Sequence, residues 1–120
     1  MTLLLVEDDP DIQLVARAAL KRAGFTVITA SNGPAALEQV QGTRPDAILL
    51  DWMMPGMDGT EVCRRLKADP ATAEIPVIFL TARSQQSEIA RGLSLGAVGY
   101  IVKPFDALAL GAQVREMLTR

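Results

Sequence analysis

Histidine is missing from this chain of 120 residues. Its absence removes imidazole acid–base catalysis, Ser-His-Asp triads and histidine metal ligation together. The single cysteine, Cys63, cannot close an internal disulfide, and its place in a helical pattern makes it a packed thiol of a reducing compartment. Aromatic residues amount to 4% against 49% hydrophobic residues, so the core must be aliphatic, built from Leu, Val, Ile, Ala and Met. No apolar run approaches the ~18 residues of a membrane span, and no signal peptide is expected before the first apolar segment. A dominant charge is lacking too. Twelve basic and 14 acidic residues leave a net charge of −2, which argues against non-specific nucleic-acid binding. The expectation is one cytoplasmic domain, large enough for a core without staples, with no membrane contact and no direct contact with nucleic acid.

What the chain does hold is a series of short apolar runs. Leu3 to Val6, Phe25 to Ala30, Asp46 to Asp51, Val77 to Thr81 and Gly99 to Lys103 each read as a strand. Between them, apolar residues recur at helical spacing: Ile12, Val15, Ala16, Ala19 and Leu20, then Ala35, Leu37 and Val40, then Val62, Cys63 and Leu66. A fourth helix runs from Ser84 to Leu95, and a last one from Asp106 carries Leu108, Leu110, Val114, Met117 and Leu118. Asp9 with Pro10 behind it reads as an N-cap and first helical residue, Asp58-Gly59-Thr60-Glu61 as a capping box, and Gly24 as a helix stop. Strands that alternate with helices call for an α/β fold, a parallel sheet covered on both faces with right-handed crossovers. A doubly wound five-stranded sheet of this kind takes the order 2-1-3-4-5, with its crevice between the first and third strands.

The strand ends share a chemistry. The first run ends on Glu7-Asp8-Asp9, the third on Asp51 before the turn at Pro55-Gly56, the fourth on Thr81 and the fifth on Lys103. Each has a plain structural explanation by itself. Asp9 favours the positive end of the first helix, Asp51 is a polar last residue, Thr81 ends a strand and Lys103 is a solvated charge. Jointly they are one set, two or three carboxylates with a hydroxyl and an ammonium at a single sheet edge. Packed carboxylates repel unless a cation intervenes, and oxygen donors without His or Cys point to a hard ion such as Mg²⁺. Mg²⁺ with a carboxylate, a hydroxyl and a lysine is what a phosphoryl group of trigonal-bipyramidal geometry needs around it. Asp51 can then act as the nucleophile and form an acyl phosphate.

Four motifs together carry a resemblance: Glu7-Asp8, Asp51 within Leu49-Leu50-Asp51-Trp52-Met53-Met54-Pro55-Gly56-Met57-Asp58-Gly59, Thr81-Ala82, and Lys103-Pro104-Phe105. With the spacing of Thr81, Tyr100 and Lys103, the chain resembles the receiver domain of two-component response regulators, of the chemotaxis-regulator type, over all of residues 1–120. The resemblance implies a flavodoxin-like (βα)5 three-layer sandwich. It implies that Asp51 accepts a phosphoryl group from a phosphohistidine on a histidine kinase or phosphotransfer protein. Asp8, Asp51 and the main-chain carbonyl of Met53 would bind Mg²⁺ directly, with Glu7 acting mainly through water. Lys103 would neutralise phosphoryl oxygens, and its bond to Pro104 is expected to be cis. Thr81 would hydrogen-bond a phosphoryl oxygen while Tyr100 swings inward, a switch on the face of the fourth helix, fifth strand and fifth helix that controls an output domain or partner. Such a protein is a signalling phosphoacceptor and no enzyme beyond assisting its own phosphorylation and slow dephosphorylation.

Departures from the pattern carry expectations of their own. Positions two past the acceptor and two past the threonine, Met53 and Arg83, tune water access in receivers, and a bulky Met53 implies slow self-hydrolysis. Asp51-Trp52-Met53-Met54-Pro55-Gly56 and Thr81-Ala82-Arg83 look like the transcription-factor subfamily, whose receivers dimerise through a charged face. Val98, Gly99, Ala109 and Gln113 stand where that subfamily has its charged residues, leaving Arg91 without its ion-pair partners, so an interface here would be mainly apolar or would be with another protein. Rival functions fit less well. A haloacid-dehalogenase phosphatase needs a second Asp where Met53 stands and a nucleophile after the first strand. A flavodoxin-type electron carrier needs a hydroxyl-rich phosphate loop where Glu7-Asp8-Asp9 would repel phosphate. A phosphorylation-independent pseudo-receiver module would not require the intact acceptor set.

Overall fold

The computed structural model describes residues 1–82 and 86–119, with side chains of the fourth helix from Ile89 onward. Arg83, Ser84 as the start of the fourth helix, and Arg120 lie outside the described residues. The element order is β1 (Thr2–Val6), α1 (Pro10–Arg22), β2 (Thr26–Ala30), α2 (Gly33–Gly42), β3 (Ala47–Asp51), α3 (Gly59–Ala68), β4 (Val77–Thr81), α4 (Gln86–Ser94), β5 (Gly99–Val102) and α5 (Leu110–Leu118). The strands form one sheet in the order β2-β1-β3-β4-β5, all pairs parallel. Period-two alternation sends each strand's residues to two separate cores. Leu4, Val6, Ile48, Leu50, Val77 and Phe79 pack with Ala36 and Val40 of α2 and Val62, Cys63 and Leu66 of α3. Leu3, Leu5, Leu49, Ile78, Leu80 and Ile101 pack with Ala16, Ala19 and Leu20 of α1 and Leu110 and Val114 of α5. Each fully buried leucine contributes roughly 1.5–3 kcal/mol of transfer free energy.

The helix starts follow their sequence signals. Asp9 accepts from the backbone N–H of Asp11 at 2.9 Å, with Pro10 at the first helical position. Asn32 caps α2 through Ala35 at 2.8 Å, and Asp58 caps α3 through Glu61 at 3.1 Å. Only half of the expected capping box forms, because the Glu61 carboxylate accepts from Arg64 and Arg65 instead. The last helix begins at Leu110, not at Asp106. Asp106 turns its carboxylate onto the Leu108 N–H at 2.9 Å and its carbonyl onto Ala109, a side-chain-closed turn that competes with helix. Leu108, read as a core residue, is consequently 84% exposed. The fifth strand also departs from a buried run. It is an edge strand whose burial alternates, so Tyr100 and Val102 face outward.

Candidate functional site

Sheet register alone brings the strand ends together. Val6 pairs with Leu50, Asp51 with Leu80, and Thr81 with Val102. The ladder runs on into the site. Glu7 N–H donates to Ala30 at 3.1 Å, Trp52 N–H to Leu80 at 2.8 Å, and Lys103 N–H to Thr81 at 2.7 Å. Glu7, Asp51, Thr81 and Lys103 therefore share the C-terminal edge, where open α/β sheets bind ligands.

At that edge the Lys103 ammonium donates to Glu7 Oε1 at 2.8 Å and lies 3.0 Å from Asp51 Oδ1. Glu7 and Asp51 are buried, while Asp8 stands at the exposed rim. Carboxylate oxygens of Glu7, Asp8 and Asp51 lie within 4.8 Å of one another, the one such acidic group among the described residues. Burial, followed by the neighbouring Glu7 carboxylate, pushes Asp51 up to about 7, with Lys103 opposing the shift. Burial would lower Lys103, but the Glu7 and Asp51 carboxylates outweigh it and hold the ammonium above its usual range. One lysine cannot neutralise three acids this close. The oxygen-only donor set and the raised Asp51 both fit a hard divalent cation, which would complete the charge balance.

Among the other residues read from the sequence, Thr81 is buried at the end of β4 with its carbonyl bound to Lys103. It borders a cavity of about 10 Å³, lined also by Trp52, Phe79, Gly92 and Tyr100. Tyr100 is 36% exposed, outside the acidic cluster. Met53 lies in the loop after Asp51 with its side chain largely exposed. The Lys103–Pro104 bond is cis. On the α4–β5–α5 face, Leu93, Val98, Tyr100, Val102 and Met117 line an open groove of about 420 Å³ together with Asp106 and Gln113, so its wall is part apolar and part polar.

Two glycines shape the site: Gly59, legible in the sequence only as part of a capping box, and Gly92, inside α4. Gly59 N–H donates to the Trp52 carbonyl at 2.9 Å, and a Cβ there would collide with the Asp51 carbonyl oxygen. The start of α3 is thus pressed against the backbone that carries Asp51. At Gly92 a Cβ would lie 2.9 Å from the Trp52 ring, which itself packs on Phe79 with centroids 4.7 Å apart. Helix α4 therefore rests directly on an aromatic pair joined to Asp51. A capping pattern signals neither approach, since both depend on elements distant in sequence.

The family model for the response regulator receiver domain matches residues 3–115. The phosphate regulon transcriptional regulatory protein PhoB of Rhizobium meliloti (strain 1021) is 45% identical over 116 residues, 97% of this chain and 51% of that protein. The transcriptional regulatory protein AfsQ1 of Streptomyces coelicolor is 43% identical over 119 residues, 99% of this chain and 52% of that protein. The chain spans about half the length of the curated relatives it matches. Among solved structures, the chemotaxis protein CheY4 of Vibrio cholerae aligns with a TM-score of 0.91 at 30% identity, covering 97% of each chain. The sheet order, the acids gathered around a lysine and the match across nearly all of its length agree: this chain belongs to the receiver domain family of two-component response regulators.

Proposed function

We propose that residues 1–120 form a phosphoacceptor unit in which Asp51 takes a phosphoryl group from a phosphohistidine on a histidine kinase or phosphotransfer protein. A carboxylate oxygen of Asp51 attacks phosphorus, the P–N bond breaks, and the leaving imidazole takes up a proton. The observation that carries this reading is the Lys103 ammonium, within 3.0 Å of both buried carboxylates at the mouth of the sheet. Asp8, Asp51 and the Met53 carbonyl would hold Mg²⁺, with Glu7 acting through water. The ion would supply charge stabilisation of the transferring phosphoryl oxygens. Lys103 would stabilise charge on the phosphoryl oxygens, and the Thr81 hydroxyl would donate to one of them.

Thr81 and Tyr100 both border the small cavity above Phe79, so a shift of Thr81 toward the phosphoryl group opens room for the Tyr100 ring. That movement changes the α4–β5–α5 face, which passes the signal to an output domain or partner protein. The domain itself is a cytoplasmic signalling phosphoacceptor, not an enzyme with turnover. The test is incubation with Mg²⁺ and a small phosphodonor, read by mass. Wild type gains one phosphoryl group and Asp51→Asn gains none; no gain in wild type, or equal gain in both, overturns the reading. Replacing Lys103 by Met slows uptake on the order of 100-fold, as for the loss of one preorganised charge at a reacting centre.

A further inference from the structure

Gln13, in the first turns of α1, carries a side chain that the phosphoacceptor chemistry leaves unused. Its amide Nε2 donates to the Glu7 carbonyl at 3.0 Å and approaches the Ala30 carbonyl and Ser31 Oγ, each at 3.4 Å. One carboxamide therefore ties together the end of β1, the end of β2 and the loop before α2. The Glu7 bond is the short one, and its acceptor is the peptide oxygen between Glu7 and Asp8. The Glu7 N–H is already held by Ala30 at 3.1 Å, and the Asp9 N–H donates to Glu7 Oε2 at 3.2 Å. With Gln13 added, both backbone groups of Glu7 are fixed, and the peptide plane from which Asp8 projects has a single orientation.

We propose that Gln13 is a positioning residue for the divalent-cation site: it orients the Glu7–Asp8 peptide so that both carboxylates converge on the cation. The inference rests on the metal reading given above. Two negative groups converging with Asp51 repel one another, and without a cation the turn gains by splaying them apart. The Gln13 bond resists that splaying because it holds the Glu7 carbonyl at 3.0 Å. Groups that orient metal ligands through hydrogen bonds change affinity when removed even though they never touch the ion. Gln13 has the reach to do so through the backbone.

The experiment measures Mg²⁺ affinity by calorimetry and by the fluorescence of Trp52, the sole tryptophan, next to Asp51. Gln13→Leu keeps the volume and removes the donor; Gln13→Asn keeps polarity but is one methylene too short, and serves if the leucine variant folds poorly. Lys67→Met is the control. It removes two carbonyl bonds, to Ala73 at 2.9 Å and Ile75 at 2.8 Å, in the connection that precedes β4. Both Gln13 variants are expected to weaken Mg²⁺ binding roughly tenfold and to recover wild-type phosphoryl uptake at saturating Mg²⁺. Lys67→Met lowers the melting temperature and leaves Mg²⁺ affinity unchanged. A Gln13 variant that binds Mg²⁺ like wild type overturns the inference alone. A wild type that binds no Mg²⁺ overturns it together with the metal reading.

Discussion

On one side of β4 stands β3, buried at every position; on the other stands β5, buried at every second one. Asp51, at the end of β3, is 3% exposed and lies between the ends of β1 and β4 with Lys103 beside it. Tyr100, in β5, is 36% exposed, and its neighbours Val98 and Val102 are comparably open. Among the described residues, no buried side-chain nitrogen or oxygen lacks a partner. The β5 face is the reverse: an edge strand, an open groove of mixed polarity and a small cavity at Thr81. Chemistry that needs carboxylates held within a fraction of an ångström sits where packing is tight. On the proposed reading, the response that requires side chains to move falls where packing is loose and rearrangement costs little.

The sharpest way to break this comparison is by truncation on each side of it. Leu49→Ala in β3 should cost about 2–5 kcal/mol, whereas Val102→Ala in β5 should cost roughly 0.5 kcal/mol. Urea unfolding monitored by circular dichroism gives both values, and equal costs would mean that β5 is as tightly built as β3.

Next in size is the electrostatic load of the crevice. Asp51 has an ordinary value of 3.8 and is pushed up to about 7 in the fold, so folding favours its protonated form. The stability this residue contributes is complete below pH 3.8 and is lost as the pH rises through about 7. Asp51→Asn cannot ionise and keeps it. In chelator, the variant should therefore be more stable than wild type above pH 7 by on the order of a few kcal/mol. The gap closes as the pH falls toward 4. Denaturant melts of both proteins across that range test the sign, and a wild type as stable as the variant at pH 8 contradicts it.

The smallest effect concerns the loop at the rim. Met53, bulky and 60% exposed, lies two residues past Asp51, and on the proposed reading it shields the phosphorylated Asp51 from water. Met53→Ala should shorten the phosphoryl lifetime about threefold or more, each tenfold in rate being ~1.4 kcal/mol. A wild-type lifetime of only seconds would dispose of the shielding role.

Much of the architecture was legible because it is written in local patterns. Apolar runs of strand length marked all five strands, and the strand order followed from their alternation with helices. Asp9 and Asp58 announced helix starts because a cap acts over only two or three residues. The exceptions have local competitors or distant causes. Asp106 prefers to close its own turn, which delays α5 and leaves Leu108 in solvent. Position in the sheet, not composition, exposes half of β5, because an edge strand has one neighbour and incomplete cover. The role of Gly92 depends on Trp52 and Phe79 arriving from two other elements.

By itself the sequence determined which groups stand at the strand ends, and hence the chemistry available: acids, a hydroxyl and an ammonium, with no imidazole among them. Only the tertiary structure decided how strongly they act on one another. Lys103 and Glu7 are 96 residues apart in the chain and 2.8 Å apart in the fold. A charge's energy depends on that distance and on the water excluded around it. The burial that raises Asp51, the peptide plane held by Gln13 and the close approach of α3 at Gly59 all arise from neighbours on other elements. No local pattern encodes them, because each is a property of the assembled sheet.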